Sequence, residues 1–275
     1  MTTIRKALEV SFNAFDNDLS ANALNEKHSD LSKQYAEMAM AGSCATVAHI
    51  RGANLHVANI GDSAAVLGLC NRGAISAIPL SKSHCVDNAD EVQRIRDAHP
   101  LSETNNVIVG GRLLENYFLS EHLVMLDTNG QLSYKRNSWW RVLYHKLTPD
   151  NHFMVLATDG LWDCLDPDTV VRLVSDHTLG MQTLTPYKPF AGTPLAQNRK
   201  KPLDENSATH LLRHALGGPG EVSAQYLRLI EMLQLPPDVT RRYRDDITII
   251  VIHFDQNYLH NPVMPECLKT QSRTS

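Results

Sequence analysis

Between Phe153 and Asp163 the chain reads FMVLATDGLWD. Five apolar residues in succession, bounded by a turn signal, predict a buried strand. The run stops at Asp159, turns on Gly160 and carries a second acid, Asp163, four positions after the first. A carboxylate at the end of a buried strand loses hydration and needs a partner, so this stretch bears on fold and chemistry together. The chain has 275 residues, of which 43% are hydrophobic and 20% charged, enough for one sizeable core. The expected organisation is a single domain over residues 1–256 and a disordered tail over 257–275, where polar residues and proline collect.

Charge and cysteine usage narrow the partners. A net charge of -4 and a pI near 6.3 leave no basic footprint for nucleic acid or an anionic membrane surface. Cys44, Cys70, Cys85, Cys164 and Cys267 are odd in number and form no C-x-x-C pair, which argues against a disulfide framework and against thiolate zinc. Cysteine phosphatase chemistry is also excluded, since the C-x5-R spacing from Cys44 meets Ile50 instead. No apolar stretch reaches membrane-spanning length, and MTTIRKALEVSFNAF has neither the apolar centre of a secretory signal nor the arginine content of a mitochondrial presequence.

Strand and helix patterns alternate along the chain. Ile4, Leu8, Phe12, Phe15 and Leu19 fall at helical spacing, predicting an amphipathic helix over residues 4–24. GSCATVAHIRGANLHVANIGDSAAVLGLC holds three β-rich runs separated by Arg51-Gly52 and Gly61-Asp62, and its turn chemistry predicts an antiparallel meander. NADEVQRIRDAHP and PDTVVRLVSDH predict short helices. Residues 178–205, with Pro186, Pro189, Pro194 and Pro202, read as a long exposed loop. NSATHLLRHAL and SAQYLRLIEML then predict helices, and DITIIVIHF a last strand.

Three acidic positions stand at strand ends. Asp62 follows LHVANIG, Asp159 follows FMVLAT, and Asp245 with Asp246 precede the last strand. If the last strand runs antiparallel to either of the others, its beginning meets their ends at one rim of a sheet. Clustered carboxylates repel one another, and a divalent cation would relieve that repulsion. Oxygen-only ligation favours Mg²⁺ or Mn²⁺ over zinc. For any single one of these acids a plain Asp-Gly turn is the blander account. DNDLSAN is not a calcium loop, because Ala21 replaces the required glycine and Lys27 the closing glutamate. His84, in SKSHC, reads as structural or solvated.

The ordered set GSCATVAHI, LHVANIGDSAAVLG, FMVLATDGLWDCL and RDDITIIVIHF resembles the metal-dependent protein serine/threonine phosphatases of the type 2C family. Within it, FDNDLS, DEVQRIRDAHP, NSATHLLRHALGG and LPPDVTRRYRDD are most similar to the mitochondrial branch acting on the pyruvate dehydrogenase complex. The resemblance implies an α+β fold, a β-sandwich of two antiparallel sheets flanked by helices, with a two-metal site at one end. It implies a phosphoprotein substrate, attack on phosphoserine by a metal-activated water, and a mitochondrial matrix location. Asp159 and Asp245 correspond to ligands of the binuclear centre, and Asp62 and Asp163 to acids that help hold a further metal. Asp246 stands as a neighbour of the ligands, and Gly160 as the residue that lets the backbone turn sharply beside a metal.

The departures carry expectations of their own. The family's Asp-Gly-His-Gly-Gly turn, an earlier strand acid and a phosphate-gripping arginine have no counterpart, so the chain is expected to begin inside the domain with half the metal-holding set. Ala64 replaces the arginine of the family's Gly-Asp-Ser-Arg motif, and SEHLVMLDTNGQLSYKRNSWWRVLYHKL, residues 120–147, replaces an expected strand and flap segment, leaving no role assigned to residues 116–143. Asp127 to Gly130 read as a turn, and Trp139-Trp140 as packed surface. The second reading is therefore a catalytically impaired remnant of a phosphatase.

Overall fold

The computed structural model describes residues 2–23, 34, 44–71, 73–85, 87–98, 108–109, 112–113, 122–126, 132–136, 141–180 and 204–261. In chain order its elements begin with helix α1 (Thr2–Ala23) and strands β1 (Ala45–Arg51), β2 (Asn54–Ile60), β3 (Ala64–Asn71) and β4 (Ala74–Pro79). Helix α2 (Ala89–Ala98) and strands β5 (Ile108–Val109), β6 (Arg112–Leu113), β7 (His122–Leu126) and β8 (Leu132–Arg136) come next. Then follow β9 (Arg141–Lys146), β10 (Asn151–Ala157), and helices α3 (Asp159–Trp162), α4 (Pro167–Thr178), α5 (Ser207–Gly217), α6 (Val222–Leu233) and α7 (Pro237–Thr240). Strand β11 (Ile249–His253) and helix α8 (Gln256–His260) complete the order. The class is α+β, with two larger sheets, two short two-stranded pairings (β5 with β6, β7 with β8) and flanking helices. Contacts divide the chain into two compact units, one of residues 1–50, 55–63 and 81–145, the other of residues 51–54, 64–80 and 146–275.

In the first unit a three-stranded sheet has the order β1-β2-β9. Its middle strand is the most buried, with Leu55, Val57 and Ala58 wholly inaccessible. The expected N-terminal helix is present as α1, where Ile4, Leu8 and Phe12 are half-buried but Phe15 is 67% exposed. Helix α2 also forms as expected, and Arg94 grips Glu91 one turn earlier with its Nε 2.9 Å from a carboxylate oxygen. Strands β7 and β8 pair antiparallel with Leu126 opposite Leu132. The expected turn at Asp127 to Gly130 and the Trp139-Trp140 pair lie outside the described residues.

The second unit is built on a four-stranded sheet of order β11-β10-β3-β4. Its antiparallel registers place Ala157 of β10 opposite Ile249 of β11 and Ala64 of β3. Alternation sends Phe153, Val155 and Ala157 to one face, where they pack with Val66, with Leu161 of α3, with Val170, Val171, Leu173 and Val174 of α4, and with Leu211 of α5. Met154 and Leu156, which alternate with them, are buried as well, so the strand is interior as its unbroken apolar run predicts. Asp166 caps α4 by accepting from the Thr169 backbone N–H at 2.9 Å, and Asn206 caps α5 in the same way from Thr209.

Three expectations need correction. The three β-rich runs of residues 42–70 hold strands, but not one meander: β1 and β2 share a sheet, whereas β3 pairs with β10 and β4. Turn residues mark where a strand stops; the partner is chosen by long-range burial, which a turn does not encode. The tail is ordered through α8, because Asp255 caps that helix by accepting from the backbone N–H of Asn257 and Tyr258, and Leu259 is buried. Residues 262–275 lie outside the described residues. The expected loop over residues 178–205 ends in one of the most buried acids among the described residues, Asp204, which is 4% exposed; residues 181–203 are not among those described.

Asp204 is the centre of a polar network that sequence patterns did not reveal. It accepts from His210 Nδ1 at 2.6 Å, from Arg213 Nη2 at 2.8 Å and from the Tyr226 hydroxyl at 2.9 Å. Arg213 is fully buried and lies 5.5 Å from the centre of the Tyr226 ring. It also donates to Gln225 of α6, whose amide reaches the Gly218 carbonyl at 2.7 Å. Ser207 joins His177 of α4 at 3.0 Å and His253 of β11 at 3.5 Å. Burial alone would raise the Asp204 carboxyl, but these hydrogen bonds and the Arg213 charge hold it well below the usual carboxylate range. Burial, then the charges of His210 and Arg213, pull His214 down to about 3.

The network is expected to make the protein acid-labile. Unfolded, His214 takes up a proton near 6.5, but folded only near 3. The unfolded chain binds more protons across that window, so stability drains as pH falls through it. Asp204 acts in the same sense at lower pH, its contribution being lost as pH falls through its depressed value. The melting temperature is expected to drop between pH 6.5 and about pH 4, and less steeply in His214→Gln. Arg213→Met leaves Asp204 buried without its cation and is expected to cost about 3–5 kcal/mol in urea unfolding, against near-wild-type stability for an exposed control such as Arg242→Met.

Candidate functional site

In the second unit the end of β10 and the approach to β11 meet. Past the Ala157–Ile249 pair, the Thr158 backbone N–H donates to the Thr248 carbonyl at 3.1 Å. The Thr158 hydroxyl donates to the Asp246 carbonyl and accepts from the Thr248 backbone N–H, each at 3.0 Å. Helix α3 begins at the next residue, so Asp159 and Asp245 stand on two adjoining chain segments at one edge of the sheet, as the antiparallel argument anticipates. Asp159 is half-buried and accepts from the Gly160 backbone N–H at 2.9 Å; Asp245 is exposed and accepts from the Asp246 backbone N–H at 2.7 Å.

Gly160 is required here for a reason other than a sharp turn. It is helical and buried, and its φ lies outside the left-handed region. A Cβ built on it would stand 2.6 Å from the Asp246 carbonyl oxygen and 2.9 Å from Cγ1 of Ile247. The absent side chain is what lets the two acidic segments touch. Asp163 is exposed at the end of α3, its backbone N–H bonded to the Asp159 carbonyl at 2.7 Å. Trp162 anchors the same turn by donating Nε1 to the Ala157 carbonyl at 2.9 Å.

Asp62 belongs to the first unit, between β2 and β3. It is half-buried and accepts from the Cys44 thiol at 3.1 Å. Gly61 before it has φ +80, and a Cβ there would fall 2.2 Å from Cys44 Sγ, so both the conformation and the space demand glycine. His84 is 4% exposed and hydrogen-bonded to the Gly61 carbonyl, which makes it structural and not solvated.

The structure thus brings Asp159 together with the Asp245–Asp246 segment, places Asp163 as the C-cap of the short helix that Asp159 opens, and holds Asp62 in the other unit. Among the described residues no group of three or more His, Cys, Asp or Glu side chains is gathered closely enough to hold a metal. The donor chemistry nevertheless fits a hard divalent cation, since Asp159 and Asp245 offer carboxylate oxygens beside a close-packed carbonyl-bearing strand end.

Comparison with known proteins gives this edge its context. The family described as Protein phosphatase 2C matches residues 3–188, about two thirds of the chain. The chain is 34% identical over 297 aligned positions to the mitochondrial pyruvate dehydrogenase (acetyl-transferring) phosphatase 1 of Bos taurus, covering 92% of this chain and 55% of that protein. To the human mitochondrial phosphatase 2 of the same name it is 33% identical over 302 positions, with the same coverage of 92% and 55%. It spans about half the length of these curated relatives. A solved structure, the serine-threonine phosphatase 2C of Toxoplasma gondii, is 18% identical and covers 82% of this chain and 65% of that one at a TM-score of 0.43. The chain belongs to the protein phosphatase 2C family, a family of metal-dependent serine/threonine phosphatases that use Mg²⁺ or Mn²⁺.

Gly160→Ala is expected to force the Asp246 carbonyl outward and to destabilise the protein by about 1–3 kcal/mol in urea unfolding. Gly73→Ala, where a Cβ meets nothing within 4 Å but φ is +84, reports backbone strain alone.

Proposed function

We propose that this chain carries a Mg²⁺- or Mn²⁺-dependent protein serine/threonine phosphatase site that hydrolyses phosphoserine on the pyruvate dehydrogenase complex in the mitochondrial matrix. The reading is carried by one observation: the β10–β11 register that joins Asp159 to the Asp245–Asp246 segment. Identity of 34% to the Bos taurus phosphatase named for that complex supports the substrate and the compartment. The family match spans residues of both units, which supports one type 2C domain containing both.

In this reading Asp159 and Asp245 hold the cation and Asp163 assists; Asp62, in the first unit, is read as a further acid that assists metal binding. When bound there, Mg²⁺ or Mn²⁺ would supply Lewis acidity toward water and the phosphoryl oxygens. The chain's own contribution is placement. The Thr158 hydroxyl pins the Asp246 carbonyl, Gly160 admits that carbonyl against α3, and Asp246 steadies the Asp245 carboxylate through its backbone N–H. The buried core under Ala157 and Leu161 keeps both segments from shifting. Among the described residues no helix is long and apolar enough to cross a membrane.

The test is phosphate release from a phosphoserine peptide by the full chain with Mn²⁺. Turnover is expected to stop on chelation and to fall roughly a hundredfold or more in Asp159→Asn, with the melting temperature unchanged. Metal-independent turnover, or full activity of Asp159→Asn, would overturn the reading.

A further inference from the structure

The Gly61 carbonyl, one peptide before Asp62, accepts an unusual number of hydrogen bonds for a turn. The His84 backbone N–H reaches it at 3.0 Å, His84 Nδ1 at 3.1 Å and Asn59 Nδ2 at 3.3 Å. A carbonyl can only accept, so Nδ1 of His84 carries the proton. Asn59 is 1% exposed; its amide also donates to the Lys82 carbonyl at 3.4 Å, and its carbonyl accepts from Thr46 of β1. Two buried side chains from two different segments therefore converge on one peptide group. That peptide is the one whose orientation sets the direction of the Asp62 side chain, which the Cys44 thiol meets from the other side at 3.1 Å. With φ +80 at Gly61, the turn has no local preference strong enough to fix this geometry in a flexible glycine.

We propose that His84 and Asn59 are positioning residues for Asp62: they clamp the Gly61 carbonyl so that the Asp62 carboxylate is presented in one orientation to a divalent cation. The inference rests on the reading of Asp62 as an acid that assists metal binding. Neither His84 nor Asn59 touches the cation; both act through the Gly61–Asp62 peptide. The chemistry at His84 is specific to one ring nitrogen. An asparagine places its amide nitrogen where Nδ1 stood, whereas a glutamine places its own near the position of Nε2.

The test is a Mn²⁺ titration of the full chain, read by the loss of the free-ion paramagnetic signal, with melting temperatures recorded for every variant. Asp62→Asn is expected to remove the weakest Mn²⁺-binding step. His84→Gln, which keeps side-chain bulk but misplaces the donor, is expected to weaken that step about tenfold, the size of one lost buried hydrogen bond. His84→Asn is expected to bind within about twofold of wild type, a difference of a few tenths of a kcal/mol. Binding by His84→Gln equal to wild type, or by His84→Asn as weak as His84→Gln, would overturn the positioning role while leaving Asp62 as an acid of the site. Wild-type binding by Asp62→Asn, or no Mn²⁺ uptake by the wild-type chain, would instead remove the metal reading of Asp62 and this proposal with it.

Discussion

Strand β10 fixes the second unit, because it is hydrogen-bonded on both edges and buried on both faces. A strand in that position has no freedom to slip: a shift of one residue would exchange Phe153, Val155 and Ala157 for Met154 and Leu156 against α4. The register is therefore held by packing, and the ends of the neighbouring strands follow from it. Ala157 meets Ile249 on one side and Ala64 on the other, so β3 and β11 begin where β10 ends. The contact between Gly160 and the Asp246 carbonyl is a downstream effect of that alignment, and it closes only because position 160 has no side chain.

The buried ion pair of Asp204 and Arg213 does comparable work on the helical side. Removing a carboxylate and a guanidinium from water is costly, and their mutual attraction offsets it only where every remaining donor is satisfied. Here His210, Tyr226 and Gln225 supply those partners, tying the segment before α5 to α5 itself and to α6. Ser207 extends the same set of bonds to His253, near the end of the strand whose approach carries Asp245 and Asp246. A pair this enclosed holds one arrangement of its helices, and the low proton affinity of His214 is a consequence of the same enclosure.

Much of this was legible in the sequence, and what was not has a physical explanation. Apolar runs and helical spacing located β10, β11, α4, α5 and α6, since burial periodicity is a local pattern. The meeting of Asp159 with Asp245 and Asp246 followed from strand polarity once antiparallel pairing was assumed. The pairing of β3 with β10 did not, because a turn at Gly61-Asp62 says nothing about which strand lies next. Asp204 has the local pattern of a proline-bearing loop, because its partners, His210, Arg213 and Tyr226, sit on two later helices and give no signature beside it. His84 looked ordinary for the same reason: its partner is a backbone carbonyl, which every residue carries.

Two kinds of acid coexist in this chain, and their surroundings separate their roles. Asp204 is enclosed by a guanidinium, an imidazole and a phenol, so its oxygens are committed and its charge is balanced within the protein. Asp163 is exposed at the end of α3, Asp245 is exposed on the approach to β11, and Asp62 is half-buried with a thiol as its side-chain partner. A neutral thiol and backbone N–H groups orient a carboxylate without cancelling its charge. Asp62 and Asp159 are each also fixed in backbone within their own unit, through Gly61 before Asp62 and Gly160 after Asp159, and that is what the proposed metal reading asks of these acids. The same sequence solves the opposite problem at Asp204 by adding donors, and the contrast follows from which acids the fold supplies with basic partners and which it leaves at strand ends.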